Sequence, residues 1–261
     1  MINENAEVVV VGGGVIGVSL AYGMVKNGAK VILIDKVDNR LTASRGNFGL
    51  VWVQGKGKGM PRYVEWCIEA TEKWPEFAEN LENESGFNLD YEKTGGLEIC
   101  LGEEEHQERV NFIEEMSQAS SSGRYDCEMI SLKELQSMIP EIKLGKEVSG
   151  ASFCSHDGCV IPLNLLKAMS SSFQENGGDY RPEQLVQKIK YSSNGFKIET
   201  GTHSFNAKKI VLACGLMTTK LANMVGMKVP VIAERGQILV TESTSRVFNY
   251  PTGGIRQNYD G

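Results

Sequence analysis

Between Glu7 and Lys26 the chain carries no charged residue, yet Gly12, Gly13, Gly14, Gly17 and Gly23 break the run. An uncharged stretch of that length invites comparison with a membrane span. A secretory leader would open with basic residues, and none precedes Glu7. A strand, a glycine turn and a helix account for the pattern better. Val8-Val9-Val10-Val11 is continuous and β-branched, as a strand buried on both faces should be. Gly12-x-Gly14-x-x-Gly17 follows, and Val18, Ala21, Met24 and Val25 then recur at helical spacing until Gly28 stops the helix. Val31-Ile32-Leu33-Ile34 reads as a second strand, closed by Asp35.

Each glycine in that spacing has a separate physical reason. Gly12 permits the tight turn, Gly14 lets a pyrophosphate approach the backbone, and Gly17 lets helix and strand pack closely. The helix N-terminus presents unpaired N–H groups and partial positive charge to phosphate. Asp35 stands where a ribose-binding carboxylate is expected. The strand before, the helix after and the acid in place make this a dinucleotide-binding unit, without separating NAD from FAD.

Composition excludes several other classes. Net charge is −6 over 261 residues, so no basic face points to nucleic acid. Three histidines, and six cysteines with no C-x-x-C, leave little material for a metal site, and none is expected. Cys154-x-His156-x-x-Cys159 matches no recognised zinc spacing. The cysteines read as reduced thiols of a cytoplasmic protein.

Further along, 62–84 is expected to be a long amphipathic helix. Its predicted apolar face is Tyr63, Trp66, Cys67, Ala70, Trp74, Phe77, Ala78 and Leu81, with Trp66 and Trp74 as core anchors. From Phe87 to Leu101, short alternating segments around Gly95-Gly96 suggest antiparallel strands. Glu103-Glu104-Glu105 opens another helix, with acids where the helix dipole favours them. Ser131-x-x-Glu134 is a capping box, and Pro140 closes that short helix. Asp157-Gly158 is read as a turn. Pro162 starts a helix with Leu165, Leu166, Met169 and Phe173 on its apolar face, ended by Gly177-Gly178. Phe196–Thr200 and His203–Phe205 suggest a hairpin, 209–215 a buried strand, 216–225 a helix, and 237–241 a strand. The expected fold class is α/β. A Rossmann-like unit, 1–86 and 150–225, is interleaved with an α+β antiparallel-sheet unit, 87–149 and 226–261.

With these segments in order, the chain resembles the FAD-dependent D-amino acid oxidase superfamily, which includes glycine oxidase and the sarcosine oxidases. The segments are "VVVVGGGVIGVSLAYGMVKNGAKVILID" (8–35), "TASRGNFGL" (42–50), "DGCVIPLNLLKAM" (157–169), "KIVLACG" (209–215) and "ERGQILVTE" (234–242). The run "SRGNFGLVWVQGKGKGMPRY" is most similar to the flavin subunits of opine oxidases, of bacterial hydrogen cyanide synthase and of D-hydroxyproline dehydrogenase. The resemblance implies an FAD domain for the first unit and a substrate domain for the second. Gly12, Gly14 and Gly17 would cradle the FAD pyrophosphate and Asp35 would bind the adenosine ribose. Ser44 and Arg45 would contact phosphate or ribityl oxygens. Gly46, Asn47, Gly49 and Leu50 would pass beside the isoalloxazine ring. Val186 would touch the adenine through its backbone, and Ala213 to Gly215 would lie against the cofactor.

The implied chemistry is oxidation of the C–N bond of a small amino or imino acid (glycine, D-amino acid, sarcosine or opine type) by hydride transfer to flavin N5. No side-chain nucleophile is needed, and the protein orients the substrate. A cation should meet the substrate carboxylate. Lys56, Lys58, Arg62 and Arg256 are candidates for this role, and Tyr250 for a hydroxyl contact. In heterotetrameric sarcosine oxidase, a histidine in a similar His-Asp segment carries a second, covalent flavin, and His156-Asp157 resembles that position. Relatives continue beyond "IRQNYDG" into further strands and a glycine-rich segment. The reading is therefore of a C-terminally truncated chain with an incomplete substrate domain, and of reduced FAD affinity and activity. Partner subunits of a multi-subunit dehydrogenase and peripheral attachment to the inner membrane belong to the same expectation. Two alternatives stand beside it: an inactive nucleotide-binding subunit that stabilises a partner, and an NAD(P)-dependent enzyme.

Overall fold

The computed structural model describes residues 2–36, 42–238, 242, 245 and 249–252. Its strands are β1 (Ile2–Val11), β2 (Val31–Ile34), β3 (Leu50–Val51), β4 (Gly96–Leu101), β5 (Glu128–Ser131), β6 (Val148–Cys154), β7 (Gly158–Cys159), β8 (Asp179–Arg181), β9 (Lys188–Ser192), β10 (Gly195–Glu199) and β11 (His203–Leu212). Its helices are α1 (Val15–Lys26), α2 (Pro61–Ser85), α3 (Gly102–Ala119), α4 (Leu132–Met138), α5 (Pro162–Glu175) and α6 (Met217–Asn223). They form two compact units, each assembled from separate stretches of chain.

The first unit comprises Met1–Asn47, Leu81–Leu89 and Pro162–Leu239. It is built on a six-stranded sheet in the order β8-β2-β1-β11-β10-β9. The first four strands run parallel and the last two antiparallel. Val8–Val11 pair with Val31–Ile34 on one side and with Lys209–Leu212 on the other. All four valines are buried, and each is worth roughly 1.5–3 kcal/mol relative to exposure. On one face Val9, Val11, Ile32 and Ile34 pack with Val186, Ile189, Ile198, Phe205 and Leu221. Elsewhere in the unit α1 buries Val18, Ala21 and Val25 and lies against α5, which buries Leu165, Ala168, Met169 and Phe173. Segment 81–89 joins this unit through Glu84, whose carboxylate accepts from Tyr22 Oη at 2.6 Å and pairs with Lys26 at 3.2 Å.

The second unit comprises Phe48–Asn80, Asp90–Ile161 and Val240–Gly261. An antiparallel sheet runs β4-β6-β5, and β3 pairs with β7. One cluster joins Val53, Val64, Ile68, Ile113, Met116, Tyr125, Cys127 and Cys154. A second joins Leu97, Ile130, Leu135, Ile139 and Ala151. The capping box is present: Ser131 N donates to Glu134 Oε2 at 2.7 Å, and Glu134 N donates back to Ser131 Oγ at 3.3 Å.

Several sequence expectations are corrected. Residues 48–80 and 150–161 pack in the second unit, not with 1–47. Val64 and Ile68 share a core with Val53 and Cys154, and β6 is the central strand of the antiparallel sheet. The buried stripe of α2 is Val64, Ile68, Thr71, Ala78 and Leu81. This stripe is rotated from the predicted face and leaves Trp66 69% exposed. Trp74 is half-buried and stacks on Tyr91 at 5.3 Å. The turn assigned to Asp157-Gly158 falls instead on Ser155-His156, and Asp157 is fully buried. The hairpin has a further partner, β9, and β8 adds a parallel strand beside β2. The strand expected at 237–241 lies partly outside the described residues, and 237–238 are not in a strand.

The glycines of α1 give a paired test of this packing. A Cβ on Gly17 would stand 1.8 Å from the Gly12 carbonyl oxygen, whereas one on Gly23 meets nothing within 4 Å. Gly17→Ala should lower the unfolding free energy by about 1–3 kcal/mol because backbone cannot yield as a flexible side chain would. Gly23→Ala should raise it by about 0.5–1 kcal/mol through helix propensity. Urea titration of both variants checks the signs.

Candidate functional site

The site begins where β1 ends. Gly12 has φ +115°, a conformation that favours glycine. A Cβ there would lie 2.4 Å from the Ala213 carbonyl oxygen. Gly12 N donates to Ile34 O at 2.8 Å and Ala213 N to Val11 O at 2.9 Å. The turn is therefore clamped between the ends of β2 and β11, and α1 starts immediately after it. Gly14 is the extended N-cap of α1 and has no side chain to cap with. Instead Ser44 Oγ accepts from Val15 N at 2.9 Å. Gly14 and Ser44 face each other closely: a Cβ on Gly14 would meet Ser44 Oγ at 3.0 Å. Ser44 sits in a turn in which Arg45 N and Gly46 N both donate to Thr42 O. Asn47 Nδ2 braces that turn on Ala43 O and Ser44 O, each at 3.1 Å.

Asp35 completes this crevice. A Cβ on Gly13 would lie 2.7 Å from Asp35 Oδ2, so the carboxylate rests directly against the glycine turn. Its other oxygen accepts from Lys36 N at 2.7 Å. The backbone of Asp35 is held by Arg181 O and Gln184 N. Tyr180, on the neighbouring β8, was not foreseen. Its phenol is pushed above the usual value by burial first and by the Asp35 charge second, with Arg45 acting in the opposite direction. Asp35, Tyr180 and Arg45 thus form one electrostatic group. No spacing in the sequence links position 180 to the glycine turn. Only the pairing of Leu33 with Tyr180 brings it there.

The other predicted cofactor residues are distributed as follows. Val186 is buried in the core beside Ile189 and Ile198. Ala213 touches the glycine turn, Cys214 Sγ lies 3.5 Å from Thr218 Oγ1, and Gly215 has φ +57°. Gly49 has φ +77° and its carbonyl accepts from Val160 N at 2.9 Å; Leu50 pairs with Cys159. Gly12, Gly14, Gly17, Asp35, Ser44, Arg45, Gly46, Asn47, Ala213 and Gly215 all belong to the first unit. A narrow glycine-lined turn, a helix N-terminus and an adjoining carboxylate suit the pyrophosphate and ribose of a dinucleotide.

The substrate-side candidates fare differently. Lys58 is paired with Glu115 at 2.9 Å and lies over the Phe112 ring, so its charge is already engaged. Lys56 and Arg62 are exposed. Tyr250 packs edge-on against Phe153 with centroids 6.1 Å apart, as part of a hydrophobic cluster. Arg256 lies outside the described residues. His156 is hemmed by two carboxylates: Nδ1 is 2.7 Å from Asp126 and Nε2 is 3.7 Å from Glu72.

Sequence reasoning also missed a buried polar network in the second unit. Gln54 Nε2 donates to Gly96 O at 2.9 Å and Asp157 Oδ2 at 2.8 Å. Gln54 Oε1 accepts from Arg109 Nη2 at 2.6 Å and Ser152 Oγ at 2.7 Å. Arg109 continues to Ser152 Oγ at 2.8 Å and to Glu98 at 3.2 Å. Burial pushes the Asp157 carboxyl up to about 6, against the bonds from Val53 N and Gln54.

The FAD dependent oxidoreductase (DAO) family matches residues 7–260. This chain belongs to that family. It is 34% identical over 255 residues to an opine oxidase subunit of Agrobacterium tumefaciens (strain Ach5), covering 98% of this chain and 68% of the relative. Among solved structures, glycine oxidase from Geobacillus kaustophilus matches with TM-score 0.77 at 22% identity, over 86% of this chain and 59% of that one. Glycine oxidase from Bacillus cereus ATCC 14579 matches with TM-score 0.72 at 26% identity, over 84% and 57%. The chain thus spans under two thirds of the glycine oxidases it matches. As a member of the FAD dependent oxidoreductase family it has the mixed α/β fold of these proteins. Among the described residues, no helix is long and apolar enough to cross a membrane.

Gln54 gives this subsection its test. Gln54→Leu removes the acceptor of Arg109 and the donor to Asp157, leaving buried charged groups short of partners. The expected cost is about 3 kcal/mol or more, read as a fall in the denaturant midpoint. A change below about 0.5 kcal/mol would show that the network holds little of the unit together.

Proposed function

We propose that the first unit binds FAD and that the protein oxidises the C–N bond of a small amino or imino acid, of glycine, D-amino acid, sarcosine or opine type. The observation that carries a dinucleotide is the closeness of the Asp35 carboxylate to Gly13, and the family match over residues 7–260 supports FAD as that dinucleotide. That closeness sets a ribose acceptor beside a turn with no room for side chains.

In this reading Gly12, Gly14 and Gly17 admit the pyrophosphate, with the first amides of α1 as donors. Asp35 holds the adenosine ribose, with Tyr180 and Arg45 fixing its surroundings. Ser44 already accepts from Val15 N, so its hydroxyl shares that helix end with the phosphate. Gly46, Asn47, Gly49 and Leu50 line the path toward the flavin ring, Val186 offers backbone to the adenine, and Ala213 and Gly215 support the cofactor from β11. FAD, when bound, supplies the two-electron acceptor for C–N oxidation. The chain's task is to hold the substrate carboxylate and keep the reacting carbon oriented. Lys56, Lys58, Arg62 and Arg256 are the candidates for the carboxylate and Tyr250 for a hydroxyl contact; Lys58 is held by only an exposed pair with Glu115. The similarity to a relative named as a subunit of opine oxidase supports an opine-type substrate and a role within a multi-subunit enzyme; a cytoplasmic or peripherally membrane-held location is part of the same proposal.

The visible absorption of the purified protein tests the cofactor. A flavin spectrum is expected, and a protein that binds only nicotinamide nucleotide would sink the assignment. Asp35→Ala should weaken FAD binding about 10- to 100-fold, the worth of a charge-assisted hydrogen-bond acceptor, as measured by titrating FAD into each protein. Anaerobic bleaching by glycine, sarcosine, D-proline or an opine identifies the substrate class. A flavin that none of them bleaches would favour an inert binding subunit over an enzyme.

A further inference from the structure

A second cluster of chemically competent side chains lies in the second unit, among residues that the proposed flavin chemistry does not use. β5 and β6 pair antiparallel with Glu128 opposite Phe153. Continuing that register carries Asp126 to the turn that follows Cys154. His156 Nδ1 lies 2.7 Å from Asp126 Oδ1, and Cys154 Sγ lies 3.4 Å from the same oxygen. One donor atom from each of the three residues falls within 4.8 Å of the others. Cys154 is fully buried. The His156 side chain is 14% exposed and that of Asp126 33%, so the cluster has an inner wall and an opening to solvent.

We propose that Cys154 Sγ, His156 Nδ1 and the Asp126 carboxylate bind one transition-metal dication of the zinc class. The donor set decides the class. Thiolate, imidazole and carboxylate together suit Zn²⁺ or Co²⁺, whereas Mg²⁺ and Ca²⁺ demand oxygen ligands. Glu72 orients the histidine. Its Oε1 stands 3.7 Å from His156 Nε2, an ion-pair rather than a hydrogen-bond distance, on the ring nitrogen opposite the one that meets Asp126, where a carboxylate behind a ligating imidazole stands. Glu72 is itself held by Arg124 Nη1 at 2.5 Å. The two separations to the Asp126 oxygen are compatible with this use, and the sulfur and nitrogen, within 4.8 Å of each other, need close by at most about 1.3 Å. Ligands at about 2.0–2.3 Å from a tetrahedral ion stand roughly 3.3–3.7 Å apart. The sulfur–oxygen separation is already in that range. The nitrogen–oxygen pair must open by under about 1 Å, which the partly exposed Asp126 allows. Charge agrees too: a dication meets a thiolate and a carboxylate, so the ion, both anions and a neutral imidazole sum to zero. Three protein ligands leave a fourth position for water or another small ligand.

The sequence hides this site. In Cys154-x-His156-x-x-Cys159 the neighbouring cysteine, Cys159, belongs to β7 and pairs with Leu50. The third ligand comes from Asp126, 28 residues upstream of Cys154.

The test uses the whole chain, stripped with chelator and dialysed. Co²⁺ is titrated while the change in near-ultraviolet and visible absorption is followed, and Zn²⁺ is titrated by calorimetry. The expected result is one ion per chain, a thiolate-to-cobalt charge-transfer band, and displacement of Co²⁺ by Zn²⁺. Cys154→Ser should abolish the band. His156→Gln should weaken binding at least 10-fold. Glu72→Gln, which removes no ligand, should weaken it about 10- to 100-fold. If Cys154→Ser does not fold, His156→Gln and Glu72→Gln decide the matter, since both positions lie at the rim. Absence of saturable binding would overturn the proposal, leaving a hydrogen-bonded Asp–His turn. So would binding of equal strength in the wild type and in His156→Gln. The readout is metal affinity, so failure here leaves the flavin reading standing, and the converse holds.

Discussion

Helix α1 can lie where it does only because position 17 has no side chain. The space that a Cβ would need is taken by the Gly12 carbonyl oxygen, so the helix is pressed onto the turn that feeds it. That single close approach determines much of the first unit. It brings the N-terminus of α1 to the ends of β1 and β11, and it sets Gly12 against Ala213. At the same turn the Asp35 carboxylate stands where a side chain on Gly13 would have to go. The helix dipole and free amides are useful to an anion only at close range. The parallel sheet beneath supplies the rigidity: Val8–Val11 of β1 and all of β2 are buried on both faces, and a one-residue slip of β1 would break pairings on both sides.

The second unit is organised around a polar group rather than a gap. Gln54 engages both ends of its amide, so the loop after β3, the start of β4, helix α3 and strand β6 meet at one side chain. Such a network specifies one arrangement more sharply than apolar packing, because each misplacement leaves a buried donor or acceptor without a partner. It also explains why Asp157 is tolerated in full burial: its carboxylate is met by Val53 N and Gln54 Nε2.

The sequence was legible where local rules suffice. The βαβ unit, the capping box at Ser131 and the helix starting at Pro162 rest on spacings of a few residues, and all three are present. The glycine turn and Asp35 belong to the same class. What was not legible depends on distant partners. The face of α2 could not be read because Tyr63 and Trp66 satisfy helical periodicity as well as Val64 and Ile68 do, and tertiary packing selects between them. Asp157 precedes a glycine and so looks like a turn residue, until Gln54 is found beside it. Tyr180 joins the site only through strand pairing. The grouping of 48–80 with the second unit follows from a core shared with Ile113 and Cys154, which no local pattern announces.

The pairing of β1 with β11 has a consequence for how the chain is made. Asn5 and Asn206, bonded across these two strands, are 201 residues apart. At roughly 5–20 residues per second, a ribosome takes about 10–40 s to cover that distance. Throughout this interval the β-branched strand β1 has one edge unmatched. Its four consecutive valines are the kind of segment that recruits other chains when exposed. Helix α1 and β2 emerge early and can cover part of it, but its second edge is paired only once β11 has emerged. The strand that makes the nucleotide crevice rigid in the finished protein is thus its most vulnerable segment while the protein is being born.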